Sequence, residues 1–123
     1  MSLQNPFRGL GKRLEKAALQ ALDDSARQGL DIAKKETRAS KVLRRESLRA
    51  ARQKRPARYV STWQREPAKR FASGEVAAFL TNEAEVIQGA PAREKAALAE
   101  RIRRRVRPIA RDAIESAIQK EFE

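Results

Sequence analysis

The apolar and small residues of this chain change their spacing twice, and that change constrains the fold more than any other feature. Leu14, Ala17, Ala18, Ala21, Leu22, Ser25, Ala26, Gly29, Ile32 and Ala33 recur every three or four positions and share one side of a helix. Further on they alternate instead. Tyr59, Ser61 and Trp63 oppose Val60 and Thr62, and then Val76, Ala78 and Leu80 oppose Ala77 and Phe79, which is the period of half-buried strands. The helical spacing returns in Ala96, Leu98, Ala99, Ile102, Val106, Ile109, Ala113, Ile114, Ala117, Ile118 and Phe122. At 123 residues the chain has room for one core. The expected fold is a single α+β domain. It has a long N-terminal helix over 1–36, a basic helical connector or arm over 37–58, a small antiparallel sheet and a turn over 59–89, and a C-terminal helical segment over 90–123. The sheet is expected to pack beneath the first and last helices.

Local signals place the boundaries. Asn5 can cap a helix that Pro6 opens, but Gly9 and Gly11 weaken its first turn, so regular helix is expected near Lys12. Ser40 is the expected cap of a second helix reaching Gln53, and Arg55-Pro56 ends it. Pro67 permits an edge strand or a break but not a central strand. Ala72-Ser73-Gly74 forms the turn to the second strand, which ends at Thr81-Asn82. Glu83 to Gln88 reads as a helical turn closed by Gly89, with Val86 and Ile87 inward. Pro91 opens the last segment, and Pro108 predicts a kink or break near Arg107, leaving 108–122 as the main C-terminal helix. Two strands alone are marginal, so the sheet needs a helix on one face or strands from a neighbouring subunit.

The charge is large and uneven. With 28 basic and 16 acidic residues the formal net charge is +12, and residues 34–58 hold 11 basic groups against 2 acidic ones. The run RIRRRVR at 101–107 is a second focus, with Ile102 and Val106 on one helical face and arginines around them. A solvated face is the ordinary explanation of a charge run, but a merely solvated helix normally mixes its signs. Such a field attracts polyanions, nucleic acid first among them. The candidate contacts to nucleic acid or an acidic partner are Arg38, Lys41, Arg44, Arg45, Arg49, Arg52, Lys54 and Arg55, with Arg101, Arg103, Arg104, Arg105 and Arg107. Trp63 and Tyr59 beside these charges read either as a base-stacking platform or as core. With aromatic residues at 5% of the chain, burial under a helix is favoured.

Chemistry narrows further. The chain has neither cysteine nor histidine, which removes disulfides, thiolates, the usual zinc sites and a histidine base. It shows no phosphate-binding glycine loop or nucleophile elbow. Glu83 and Glu85, near the sheet's end, read as solvated or salt-bridged. No catalytic residue, cofactor or metal is expected, and the chain does not read as an enzyme. No apolar run approaches the roughly 20 residues of a membrane span, and the N-terminus lacks a signal-peptide core. A soluble protein made in the cytosol is expected. A membrane-surface role for its basic helices is the weakest reading, because large apolar anchors are scarce on them.

The order of elements resembles the tail-completion, or head-tail joining (neck), proteins of long-tailed bacteriophages. The likeness rests on the long N-terminal helix and basic connector, the Ser61-Thr62-Trp63 step, the Gly74 to Asn82 strand, the Ala84 to Gly89 turn, and Arg107-Pro108 opening a final helix. That family often has a Thr-Gly step before its first strand and a Tyr-Ala step before the turn, where this chain has Arg58-Tyr59 and Glu83-Ala84. The resemblance implies a structural virion protein, assembled in the host cytoplasm as a homo-oligomeric ring, a hexamer, at the head-proximal end of the tail. Its partners would be neck or connector proteins and tail-tube or tail-terminator proteins, with packaged DNA as a further contact. Read without the resemblance, the same features describe a small basic nucleic-acid-binding protein without sequence preference.

Overall fold

A computed structural model of the chain describes residues 8–73 and 76–123. The Asn5-Pro6 start and Gly74 lie outside the described residues. The elements are α1 (Arg8–Ala39), α2 (Lys41–Arg52), β1 (Gln64–Arg70), β2 (Val76–Thr81), the single turn α3 (Glu85–Gln88) and α4 (Ala92–Glu121). This is the expected α+β order, with α1 running past position 36 to Ala39 and α4 lying within the expected 90–123 segment.

Helices α1 and α4 lie antiparallel, as the ion pairs toward their ends require. Arg13 near the start of α1 meets Glu121 at the end of α4 (3.9 Å), while Glu36 meets Arg101 (3.5 Å) and Arg105 (2.9 Å). The face of α1 read from the spacing is the face it buries, with Ala21, Ser25, Ala26, Gly29, Ile32 and Ala33 all enclosed. Small residues let the neighbours approach. The approach is tightest at Gly29, where a Cβ would lie 3.1 Å from Leu80 Cδ1 and 3.5 Å from both Val106 methyls. Strand β2, α1 and α4 therefore meet at one point.

The expected interruption at Pro108 does not divide the last helix, and the main C-terminal helix begins at Ala92, not at Pro108. A proline there removes one amide donor and crowds the carbonyl of the residue four earlier, Arg104. Both residues are exposed, so water can serve that carbonyl. On the other side, Val106, Ile109, Ala110, Ala113 and Ile114 are half-buried and hold the helix on both sides of the proline.

The first strand is displaced from its expected place. Residues 59–63 form a loop, and β1 is the charged run QREPAKR, antiparallel to β2 with Arg65 opposite Leu80, Glu66 opposite Phe79 and Arg70 opposite Val76. Its two arginines are answered by α1. Arg65 and Asp23 form a close ion pair, and Arg70 meets Glu15 at 3.6 Å. Pro67 is tolerated because the register shifts between Glu66 and Lys69, a bulge on an edge strand. The Ala68 amide within that bulge donates to Asp23 Oδ1 (3.2 Å). Both strands pack against α1, and β2 reaches α4 through Leu80.

The main core lies beside the sheet, where the end of α1, α2, α3 and the first half of α4 converge on Ala33, Leu43, Ala50, Val86, Ile87, Leu98 and Ile102. Helix α2 is capped at both ends. Ser40 Oγ accepts from the Leu43 amide (3.2 Å) and donates to Glu94 Oε1 (2.7 Å), which ties the start of α2 to the first turn of α4. At the other end the Arg55 amide donates to Ala50 O (2.8 Å) and the Lys54 amide to Ala51 O (3.1 Å). That is a Schellman closure, with Lys54 at φ 57 in the position usually held by glycine.

The contact at Gly29 sets opposing effects for substitution. Alanine gains about 1 kcal/mol of helix propensity over glycine, but its methyl presses on Leu80. Gly29→Ala is expected to be near neutral. Gly29→Leu should destabilise by about 1–3 kcal/mol, the usual cost of overpacking. Urea unfolding of the two variants checks both expectations.

Candidate nucleic-acid interface

Helix α2 carries its charges on one side. Leu43 and Ala50 are buried and Val42, Glu46 and Ser47 half-buried, whereas Lys41, Arg44, Arg45, Arg49 and Arg52 are exposed. Their spacing of three and four residues lines them along one stripe. Over 12 residues the stripe is about 18 Å long at about 1.5 Å per residue. Among the described residues, none of these five cations has a carboxylate within salt-bridge distance. Arg44 Nη2 donates to the Arg38 carbonyl (3.0 Å) and Arg55 Nε to Gln53 Oε1 (2.8 Å), neutral partners that orient the guanidinium groups without discharging them. Arg38 and Lys54 are exposed and extend the patch at its two ends. Leu48 stands within the stripe and is 56% exposed.

The second focus is different in kind. Arg101 reaches both Glu36 (3.5 Å) and Glu94 (3.4 Å), and Arg105 takes the other oxygen of Glu36 (2.9 Å). Arg103 and Arg104 both turn back to Glu100, at 3.7 and 3.2 Å. Four of the five arginines singled out there are thus held by carboxylates, two of them across the α1–α4 seam. Arg107 has no such partner among the described residues. It lies at the rim of an apolar groove of about 460 Å³ with Leu22, Phe79, Ile102 and Val106.

The Trp63 indole packs against the core, and its Nε1 donates to Thr37 Oγ1 (2.8 Å). Thr37 is fully buried and donates its own hydroxyl proton to the Ala33 carbonyl. Trp63 is thus half-buried and engaged with the core, as the packing alternative expects. Tyr59 also packs against the core. Glu83 and Glu85 are exposed. Among the described residues no helix is long and apolar enough to cross a membrane.

The patch also includes the two cations that bound the basic 34–58 stretch but are not among the individual contact residues named from the sequence. Lys34 and Arg58 line one hollow with Arg38. The four-residue spacing of Lys34 and Arg38 marks a shared face, but the return of Arg58 to that face depends on a loop that local spacing does not reveal. Comparison of the chain with protein-family models, with curated proteins and with solved structures finds no match in any of the three.

Thr37→Val keeps the volume but leaves the Trp63 N–H without its acceptor. The expected loss is about 1–3 kcal/mol, the cost of an unsatisfied buried donor, with less than about 1 kcal/mol for Thr37→Ser. Denaturation followed by fluorescence of the chain's one tryptophan reads both.

Proposed function

We propose that this chain is a structural protein of a tailed-phage particle. In this reading it forms a homo-oligomeric ring at the head-tail junction, with α2 as the surface that meets DNA. The observation that carries the DNA contact is the α2 stripe, whose cations are left without carboxylates while those of α4 are mostly paired. The placement at the junction rests on the resemblance in element order. A sheet of two strands, with no further strand paired to either edge among the described residues, accords with assembly into a ring. In this role the protein is not a catalyst. Phosphate contacts require charge and not base-reading geometry, so binding is insensitive to sequence and falls steeply with salt.

Replacing Arg44, Arg45, Arg49 and Arg52 together by Gln should lower affinity for a DNA duplex by at least about tenfold near 0.1 M salt. It should also flatten the salt dependence by roughly 0.9 for each phosphate no longer neutralised. Replacing Arg103, Arg104 and Arg105 should have the smaller effect, since those side chains are already engaged. Mass measurement in solution and in purified particles tests the ring. A monomer or dimer that binds DNA and is absent from particles would identify a small basic nucleic-acid-binding protein instead. Equal DNA binding by the α2 variant and the parent would remove the DNA contact.

Leu48 favours a second reading of the same face, in which α2 docks on an acidic surface of a neck or tail protein. A half-exposed leucine amid five cations adds nothing to phosphate contacts but suits the centre of a protein interface. Leu48→Ser is expected to leave DNA affinity within about twofold, since it removes no charge. Reduced joining of heads to tails by that variant would support the acidic protein surface, and unchanged joining would leave α2 to DNA.

A further inference from the structure

The last turns of α1 and the loop at 57–61 line a shallow, open hollow of about 340 Å³ on the surface. Lys34 and Arg38 line it from α1, one helical turn apart, with their β-carbons about 5–6 Å from each other. Arg58 closes the circle from the loop, and Tyr59, Ser61, Ala57 and Val60 complete the lining. No carboxylate belongs to that lining. Glu36, the nearest acid between the two α1 cations, is turned away to Arg101 and Arg105, and Asp31 does not line the hollow.

The loop that brings Arg58 here is fixed at three points. Ser47 Oγ donates to the Ala57 carbonyl (2.8 Å), Asn82 Nδ2 donates to the Tyr59 carbonyl (2.7 Å), and Trp63 is tied to Thr37. Asn82 is itself buried and held by the Ala84 amide, which donates to its Oδ1 (2.9 Å). The backbone that carries Arg58 is therefore held against the last turns of α1 by contacts within the fold. Preorganisation of this kind lowers the ordering cost of binding.

We propose that this hollow is a discrete phosphate site that takes a backbone phosphodiester of a nucleic acid. Two planar guanidinium groups and an ammonium supply charge-assisted donors, Ser61 offers a hydroxyl, and Ala57 and Val60 give the attached sugar an apolar wall. Arg38 lies beside Arg44 through the bond to its carbonyl, so a strand seated here continues onto the α2 stripe. The nucleic-acid identity of the ligand rests on the function proposed above, whereas the phosphate site can be tested independently of it.

The test uses the whole chain and two variants that remove the same charge at different places, Arg58→Gln and Arg49→Gln. Inorganic phosphate, titrated against chloride at constant ionic strength, should shift the backbone amide resonances of residues 34–38 and 57–61 saturably in the parent and in Arg49→Gln. Arg58→Gln should abolish that response. Shifts no larger than those with chloride, or spread equally along α2, would overturn the site whatever DNA does. With a short DNA duplex, Arg58→Gln should weaken affinity at least about threefold more than Arg49→Gln, because it breaks a convergent set of donors and not one charge of a stripe. Saturable phosphate binding with equal losses on DNA would overturn the nucleic-acid assignment. A greater effect of Arg58→Gln on phosphatidylglycerol vesicles than on DNA would overturn it in favour of a lipid headgroup.

Discussion

Carboxylates are the scarce component of this chain, and where they stand determines the rest. Glu15, Asp23 and Glu36 on α1 meet Arg70, Arg65, Arg101 and Arg105 on β1 and α4, and Glu121 returns from α4 to Arg13 on α1. These pairs join the long helices to each other and to a strand too polar to dock by apolar burial. Individually, exposed pairs contribute only about 0–1 kcal/mol. Their larger effect is on register, because an uncompensated charge at any of these seams would be repelled by a molecule carrying +12. Helix α2 holds one acid, Glu46, and that side chain forms no ion pair among the described residues. The basic face of α2 is thus the consequence of a distribution in which the acids serve the other elements.

A second constraint is the shortage of large apolar residues. Close packing is reached by bringing backbones together, which is why α1 presents alanine, serine and glycine to α4, and why Gly29 sits where Leu80 and Val106 both arrive. Trp63 compensates on the other side. Its ring covers the junction beside α1 while its N–H is fixed on Thr37, so the largest aromatic group packed on the core also sets the path of the chain into β1. Loop 57–63 is thereby held in place by packing and hydrogen bonds, and the placement of Arg58 follows from it.

The long helices, the Ser40 cap, the closing turn at Gly89 and strand β2 are legible in the sequence because each depends on neighbours within a few positions. The first strand is not. The alternation of Tyr59, Ser61 and Trp63 imitates a strand, yet Tyr59 and Trp63 are drawn onto the core while Ser61 stays exposed, and the pairing segment is QREPAKR, whose composition opposes strand formation. It becomes a strand only because Asp23 and Glu15, some forty to fifty-five residues earlier, neutralise its arginines and take its bulged amide. Pro108 does not produce the break that is one of the two outcomes local rules allow, since packing on α1 keeps α4 one continuous helix. Charge density locates both basic foci, but only tertiary structure distinguishes the arginines of α4 that bind carboxylates from those of α2 that do not.

The bare face of α2 carries a cost within the fold, because five like charges repel one another along about 18 Å of helix. Three features offset that repulsion without adding an acid. Ser40 anchors the first turn to Glu94, Leu43 and Ala50 fasten the inner face to the core, and the Schellman closure satisfies the last carbonyls even though Lys54 must take a left-handed conformation. A charged arm that ordered only on binding would need none of these, and would bear the ordering entropy at each encounter. Because α2 is already folded, the stripe meets a polyanion as a rigid row, and counterion release is opposed by little conformational loss. Within a ring of identical subunits, each copy would bring the same row, and the repulsion between copies would grow until an anion lay against them. On the proposed reading, then, the feature that least favours assembly of the protein alone is the one that most favours its assembly around DNA.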